Sequence, residues 1–271
     1  MSVMPLVIEN ARHLYDVCPL CDSPLFKQIG SAECSSHPLY SPELPKVIHW
    51  MQCLNCSHSF TDGHFTEKSL EILFSKANDY QVLNLPKIEQ ARAVSATMVD
   101  KISMALGEQS GRWLDVGFGN GALLLTCAEY GFDSIGLDLR QQAVDKIKEM
   151  GIEAYCQDLL KFDCEDQFSV ISMADVLEHM PFPKKALAKA YEMLAPKGIL
   201  FVTCPNSDSF VWKAFTKEQK NPYWVELEHY HNFGRKRFYS FLIEQGFDPI
   251  NYSVSTRYRM GMEIISRKRK F

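Results

Sequence analysis

A doubly wound α/β domain with a mostly parallel sheet is the fold that residues 112–271 predict, and three observations predict it. Short apolar runs alternate with helix-period stretches from residue 112 onward, the pattern that packs helices on the faces of a parallel sheet. The first run delivers an acid, Asp115, into a turn with glycine at 117, 119 and 121, and an apolar helix start follows directly. A strand, a glycine turn and a helix N-terminus in that order form a small-molecule cradle at the carboxyl edge of such a sheet. The two β-like runs that end the sequence are joined by a turn too short for a parallel crossover, so they pair antiparallel.

The elements follow in order. Residues 14–65 hold Cys18, Cys21, Cys53 and Cys56 with many prolines and few long periodic runs. Residues 66–106 read as helical: Leu70, Ile72, Leu73 and Phe74, then Ile88, Ala91, Val94, Met98, Ile102 and Leu106 recur at near-helical spacing. Pro86 suits the first turn of the second helix, where its missing N–H is harmless, and Gly107 and Gly111 close it. Strands are expected at 112–116, 133–137, 153–156, 168–173 and 199–203, with helices at 122–130, 141–150 and 184–194 between them. An irregular, aromatic-rich segment over 210–232 leads to a helix at 235–245 and β-like runs at 250–257 and 261–266. Three zones result: a lobe over 1–65, a helical linker or lid over 66–110, and the α/β domain over 111–271.

Composition excludes several function classes. The 271 residues are 46% apolar and 23% charged, which is ordinary for a globular protein. A net charge of −4 opposes bulk attraction to nucleic acid or an anionic membrane. No apolar run approaches the roughly 18–20 residues that span a bilayer, and no charged segment followed by an apolar core opens the sequence. Nine cysteines is an odd number, and Cys34, Cys127, Cys156, Cys164 and Cys204 lack paired spacing. That usage fits a reducing compartment rather than a disulfide framework. The expectation is a cytoplasmic protein without membrane insertion, acting on a small molecule rather than on nucleic acid.

The glycine turn itself reads two ways. As Gly-x-Gly-x-x-Ala over 117–122, with Asp138 further on, it meets the loose dinucleotide fingerprint. As Asp115-x-Gly-x-Gly-x-Gly121 it resembles motif I of the class I S-adenosylmethionine-dependent methyltransferases. Three features favour the second reading. Asp138 ends the apolar run Ser134-Ile-Gly-Leu-Asp138-Leu139, where an ionised carboxylate can accept both hydroxyls of a ribose. Gln157-Asp158-Leu159 follows the next strand. Ala174-Asp-Val-Leu-Glu-His-Met-Pro181 then precedes Met193-Leu-Ala-Pro-Lys-Gly-Ile-Leu-Phe-Val-Thr-Cys-Pro-Asn206 at helical distance.

This pairing looks like the small-molecule branch of that family, closely over about 112–206 and loosely over the C-terminal hairpin. The resemblance implies a Rossmann-like methyltransferase sheet with a reversed last strand. It implies S-adenosylmethionine held by Asp115, Gly117, Phe118, Gly119 and Gly121, by Asp138 and Leu139, by Asp158 and Leu159, and by Asp175. In the family, the acid corresponding to Asp158 faces the adenine amino group. Asp115 can meet the cofactor's ammonium or cap the following helix. The cofactor carries no phosphate, and the loop has no Lys-Ser/Thr ending.

Cys18-Pro-Leu-Cys21 and Cys53-Leu-Asn-Cys56 are two Cys-x-x-Cys knuckles separated by residues 22–52. Two such knuckles complete the four-thiolate site of a structural Zn2+ ribbon, although the spacer exceeds the usual one. Neither pair has the strand-to-helix context of a redox motif. A closed site of this kind leaves no position for substrate and serves to fold its lobe. His37, His49, His58 and His64 lie nearby as surface or core histidines, or as substitute ligands.

A zinc ribbon ahead of this core is similar to the C-methyltransferases that act on nucleotide-linked keto-deoxysugars. Those enzymes carry His-Glu-His-x-x-x-Phe-Ser after the fifth strand, where this sequence has Leu227-Glu228-His229-Tyr230-His231-Asn232-Phe233-Gly234. The resemblance implies His229 as general base, with Glu228 as orienter or second base and His231 as runner-up. Leu227 replaces the first histidine, and the 271 residues contain no counterpart of the sugar enzymes' further large domain, so their substrate is not carried over. The expected acceptor is a sugar, glycan or secondary-metabolite precursor methylated on oxygen or carbon. An alternative, resembling the small-RNA 2′-O-methyltransferases, gathers a divalent metal on Asp175, Glu178, His179 and His229 or His231. A non-enzymatic alternative keeps the cofactor cleft without catalysis. Tyr80, Phe210, Trp212, Phe215, Tyr223 and Trp224 are candidates for an aromatic lid, and the basic stretches at 235–237 and 267–270 for solvated ends or a phosphate contact.

Overall fold

The computed structural model describes residues 11–80, 84–258 and 260–270, apart from the side chains of 78–80. The chain forms two compact units. The first takes residues up to Tyr80 together with Glu178–Pro183 and Asn206–Arg237, and the second takes Gln81–Leu177, Lys184–Pro205 and Phe238–Phe271. The expected helical linker is therefore divided at Tyr80, with one helix going to each unit.

In the first unit β1 (Arg12–Leu14) is followed by β2 (Phe26–Glu33), β3 (Val47–Cys53), β4 (Ser59–Thr61), β5 (Gly63–Phe65) and helix α1 (Glu67–Tyr80). β1 pairs antiparallel with β5, and β2, β3 and β4 form an antiparallel sheet. Val47–Cys53 alternates outward and inward, so that Ile48 and Trp50 are buried with Leu44, Phe65, Leu227 and Tyr230. This lobe has an apolar core of its own, whereas the composition of residues 14–65 suggests none.

The second unit opens with α2 (Leu85–Leu106). Asn84 caps it by accepting the Lys87 N–H, Pro86 lies in its first turn, and Gly107 ends it at φ +85°. Then come β6 (Arg112–Val116), α3 (Ala122–Glu129), β7 (Asp133–Asp138), α4 (Gln141–Glu149), β8 (Glu153–Cys156), β9 (Phe168–Ala174), α5 (Pro183–Met193) and β10 (Leu194–Pro205). The segment over 206–234, in the first unit, contributes α6 (Phe210–Lys217) and β11 (His231–Asn232), and β11 extends the small sheet on β4. α7 (Arg235–Glu244), β12 (Phe247–Val254) and β13 (Gly261–Lys268) complete the chain.

The large sheet runs β12-β13-β10-β9-β6-β7-β8. β10, β9, β6, β7 and β8 are parallel, and β13 runs antiparallel to both β10 and β12. This is the doubly wound sheet with a reversed last strand. Two buried clusters hold it to its helices: Met98, Val99, Ile102, Trp113, Leu123 and Phe201 in one, and Phe118, Leu124, Val144 and Ile147 in the other. Among the described residues no helix is long and apolar enough to cross a membrane.

Candidate functional site

The α/β unit builds its site at the carboxyl ends of β6, β7 and β9. Asp115 is 2% exposed near the end of β6. Trp113 Nε1 donates to Ser172 Oγ at 2.8 Å, and that hydroxyl donates to Asp115 Oδ1 at 2.6 Å. Burial raises the Asp115 carboxyl to about 7, against the opposing Ser172 bond and the positive charge of Arg257. The turn that follows needs its glycines. Gly117 sits at φ +64°, and a Cβ there would lie 2.6 Å from Val176 Cγ2. At Gly119, φ +59°, a Cβ would make ordinary van der Waals contact with Gly117 O at 3.9 Å and Arg257 Nη2 at 4.0 Å, so it is the backbone conformation that calls for glycine there.

Four of the turn's five amides, all but that of Asn120, are bonded within the turn and to β7. Gly117 N–H donates to Leu137 O at 2.7 Å, Gly121 N–H to Phe118 O at 2.9 Å, and Gly119 N–H to Asp138 Oδ2 at 3.1 Å. Asp138, at the tip of β7, is clasped by Arg140, whose backbone N and Nε donate to Oδ1 while Nη2 donates to Oδ2 and to Gly119 O. With the Gly119 bond, these contacts occupy the four lone-pair directions of a carboxylate. Asp158 is exposed and caps a single 3-10 turn by accepting the Leu160 N–H at 2.8 Å. Leu139 is exposed at the same edge, while Phe118 and Leu159 are buried, Phe118 within an apolar cluster.

Asp175 follows β9 in a left-handed conformation, φ +59°, with its N–H on Thr203 O. That backbone is strained for an aspartate. Its Oδ2 lies 3.7 Å from Nη1 of Arg257, in the turn between β12 and β13. Arg257 Nη2 is also 4.0 Å from the position of a Cβ on Gly119. Sequence reasoning missed Arg257, because nothing in a terminal hairpin marks which residue folds back on the glycine turn.

The first unit gathers the predicted histidines and cysteines. His229 and His231 are both buried, and burial drives both imidazoles down, His231 to about 3. His231 has both nitrogens engaged: Nδ1 with His58 Nε2 at 3.1 Å and Nε2 with Met180 O at 3.0 Å. His229 Nδ1 is buried with no hydrogen-bond partner. The ring of His229 lies edge-on to His179 at 4.6 Å and stacks on Tyr223 at 5.8 Å, and Tyr223 stacks on Trp212 at 5.1 Å. His179 Nδ1 donates to Glu228 O at 3.0 Å, and Tyr230 N–H donates to Glu178 O, so two chain segments are tied together. Glu178, His179 and His229 offer ligand atoms within 4.8 Å of one another. Asp175 belongs to the other unit and is not in this group. Of the aromatic residues, Trp212 is buried, Tyr223 and Trp224 half-buried and Phe210 exposed, and the side chain of Tyr80 lies outside the described residues.

The four cysteines come together as two matching knuckles. Asp22 N–H donates to Cys18 O and Ser57 N–H to Cys53 O, with Asp22 and Ser57 both left-handed at φ +57° and +61°. Cys18 Sγ lies 3.7 Å from Cys56 Sγ, and Cys21 Sγ 3.6 Å from Cys53 Sγ. A tetrahedral ion with zinc–sulfur bonds near 2.3 Å separates its sulfurs by roughly 3.8 Å, so the set fits Zn2+.

Comparison with known proteins places this geometry in a family. The sequence profile of the family described as "Methyltransferase domain" matches residues 89–252. The ubiquinone biosynthesis O-methyltransferase of Xanthomonas oryzae pv. oryzae (strain PXO99A) is 26% identical over 161 residues, 56% of this chain and 67% of the relative. Its namesake from Coxiella burnetii (strain Dugway 5J108-111) is 31% identical over 101 residues, 34% of this chain and 43% of the relative. Among solved structures, the 1,6-didemethyltoxoflavin-N1-methyltransferase of Burkholderia thailandensis aligns with a TM-score of 0.57 at 15% identity, covering 80% of this chain and 98% of that one. The magnesium protoporphyrin IX methyltransferase of Synechocystis PCC 6803 aligns at 0.53 and 16% identity, covering 69% and 89%. At these identities the two structures speak for the fold. With a matched profile spanning more than half its length, the chain belongs to the methyltransferase domain family and is an S-adenosylmethionine-dependent methyltransferase.

Proposed function

We propose that this protein methylates an oxygen or carbon of a small-molecule acceptor, a sugar, glycan or secondary-metabolite precursor, with His229 receiving the acceptor's proton. The carrying observation for the cofactor is the left-handed glycine turn flanked by the acids Asp115 and Asp175 and the cation Arg257. That charge pattern complements a zwitterionic amino-acid tail, and the turn has no residue for a phosphate. When bound, S-adenosylmethionine supplies an electrophilic sulfonium methyl group. Asp115 would meet its ammonium, and Asp138 and Asp158 its ribose and adenine.

His229 is favoured over His231 because its Nδ1 is uncommitted while both nitrogens of His231 are bonded. Burial lowers the His229 imidazole and keeps the ring neutral in the structure without acceptor. Glu228 fixes His179 beside it through its backbone oxygen. The relatives named for ubiquinone biosynthesis, and the neighbour that holds 1,6-didemethyltoxoflavin, support a small-molecule acceptor. The four thiolates would hold a structural Zn2+, and an odd number of cysteines, five of them without paired spacing, suits a cytoplasmic setting.

A tritiated-methyl transfer screen over nucleotide sugars, small phenols and RNA tests this reading. The expected result is label on a small molecule, reduced about a hundredfold or more in His229→Ala. Undiminished transfer in the variant removes His229 as base. A second reading rests on the Glu178–His179–His229 group, where the Nδ1–H bond of His179 leaves its Nε2 lone pair for a divalent metal. Here His229 is a ligand and the metal would hold the acceptor hydroxyl. Transfer abolished by a chelator and restored by Mn2+ or Mg2+ selects this reading, and transfer indifferent to chelation rejects it.

A further inference from the structure

We infer that Arg257, in the β12–β13 turn, binds the carboxylate of the cofactor's amino-acid tail and makes the terminal hairpin part of the cofactor site. The inference rests on the methyltransferase reading and deepens it. A zwitterionic tail seated at the glycine turn must place its carboxylate beside Asp115, Asp138 and Asp175, so a compensating cation or a set of free amides is required.

Four of the turn's five amides, all but that of Asn120, are already taken, and a single amide does not balance a carboxylate among three acids. Those of Gly117, Phe118, Gly119 and Gly121 are bonded within the turn and to Asp138, and Ala122 N–H is taken by Asn120 Oδ1 at 3.1 Å. Arg140 is nearby, but its guanidinium is committed to Asp138 and Gly119 O.

Arg257 has the needed position. Register places the hairpin turn at the carboxyl edge, because Gly261 at the start of β13 opposes Pro205 at the end of β10. Nη2 reaches to 4.0 Å from the Gly119 Cβ position, within contact distance of the tip of the turn, while Nη1 stands 3.7 Å from Asp175 Oδ2. That separation exceeds a hydrogen bond, so the Asp175 contact orients the guanidinium without using up its donors. The described residues around Arg257 are bonded to one another: Arg257 and Tyr258 N–H both donate to Ser255 Oγ, Ser255 N–H donates to Gly261 O, and the guanidinium lies 5.0 Å from the Tyr258 ring. A planar fork held in this way suits a carboxylate better than an ammonium would.

The test is titration calorimetry with S-adenosylhomocysteine and its decarboxylated analogue, which keeps the ammonium. Wild type is expected to prefer the carboxylate form by roughly tenfold to a hundredfold. In Arg257→Leu that preference falls to within about twofold, while the decarboxylated analogue binds as in wild type and reports an intact fold. An unchanged preference in Arg257→Leu overturns the inference. If that variant does not fold, Arg257→Gln decides by the same criterion. Failure of the wild type to bind S-adenosylhomocysteine at all is a different outcome, and overturns the methyltransferase reading beneath it.

Discussion

At the scale of single residues, Asp115 has the most direct consequence for pH. Its carboxyl is held at about 7 against an ordinary 3.8. The unfolded chain therefore releases this proton first, so the residue's contribution to stability is greatest at low pH and falls as pH rises from about 4 to about 7. The total is on the order of 4 kcal/mol. Urea unfolding of wild type and Asp115→Asn should show the variant gaining relative stability across that window and no further above it. Cofactor affinity should move the opposite way. An ammonium prefers the ionised carboxylate, so the affinity for S-adenosylhomocysteine should rise as pH climbs through about 7 in wild type and stay flat in Asp115→Asn. A flat wild-type profile would show that Asp115 does not face the ammonium. The acids at 115 and 138 could be picked out in the sequence because strand tips are readable from apolar runs. The grip of Arg140 on Asp138 could not be, since it depends on a rotamer two residues further on.

At the scale of elements, strands and helices of the parallel sheet were legible because their burial is periodic. The element at 210–217 was not. α6 exposes Phe210, Val211 and Phe215 and buries Trp212, so it carries no inward stripe, and its remaining signal was the Ser209 side chain capping Trp212 N–H. β2 was hidden for a similar reason, being exposed along nearly its whole length. Packing between elements is close at Gly136 of β7, where a Cβ would lie 2.7 Å from both Leu124 and Phe118. Gly136→Ala should cost about 1–3 kcal/mol by overpacking, seen as a lower urea midpoint at unchanged slope. The knuckles give a second element-scale prediction. Wild type should contain one Zn2+ per chain by metal analysis, and Cys53→Ser should lose it and expose residues 14–65 to protease. Retention of full zinc in the variant would contradict a four-thiolate site.

At the scale of the molecule, the sequence order of the chain and its division into units differ. β9 and β10 each hand the chain to the first unit, through Glu178–Pro183 and Asn206–Arg237. The boundary between Asp175 and Glu178 separates the cofactor acids from the histidine group, a division invisible in a motif that reads continuously. Composition and alternation were enough for the sheet and its glycine turn, since both arise from local pattern and glycine geometry. The histidine group is assembled from distant, weakly patterned segments, and the sequence could name its residues without arranging them. The claim on which the rest depends is that the glycine turn serves a methyl donor and not a dinucleotide. Calorimetry of the full chain with S-adenosylhomocysteine and with NAD tests it most directly: the account predicts one S-adenosylhomocysteine bound per chain and no heat from NAD, and binding of NAD without S-adenosylhomocysteine would contradict it.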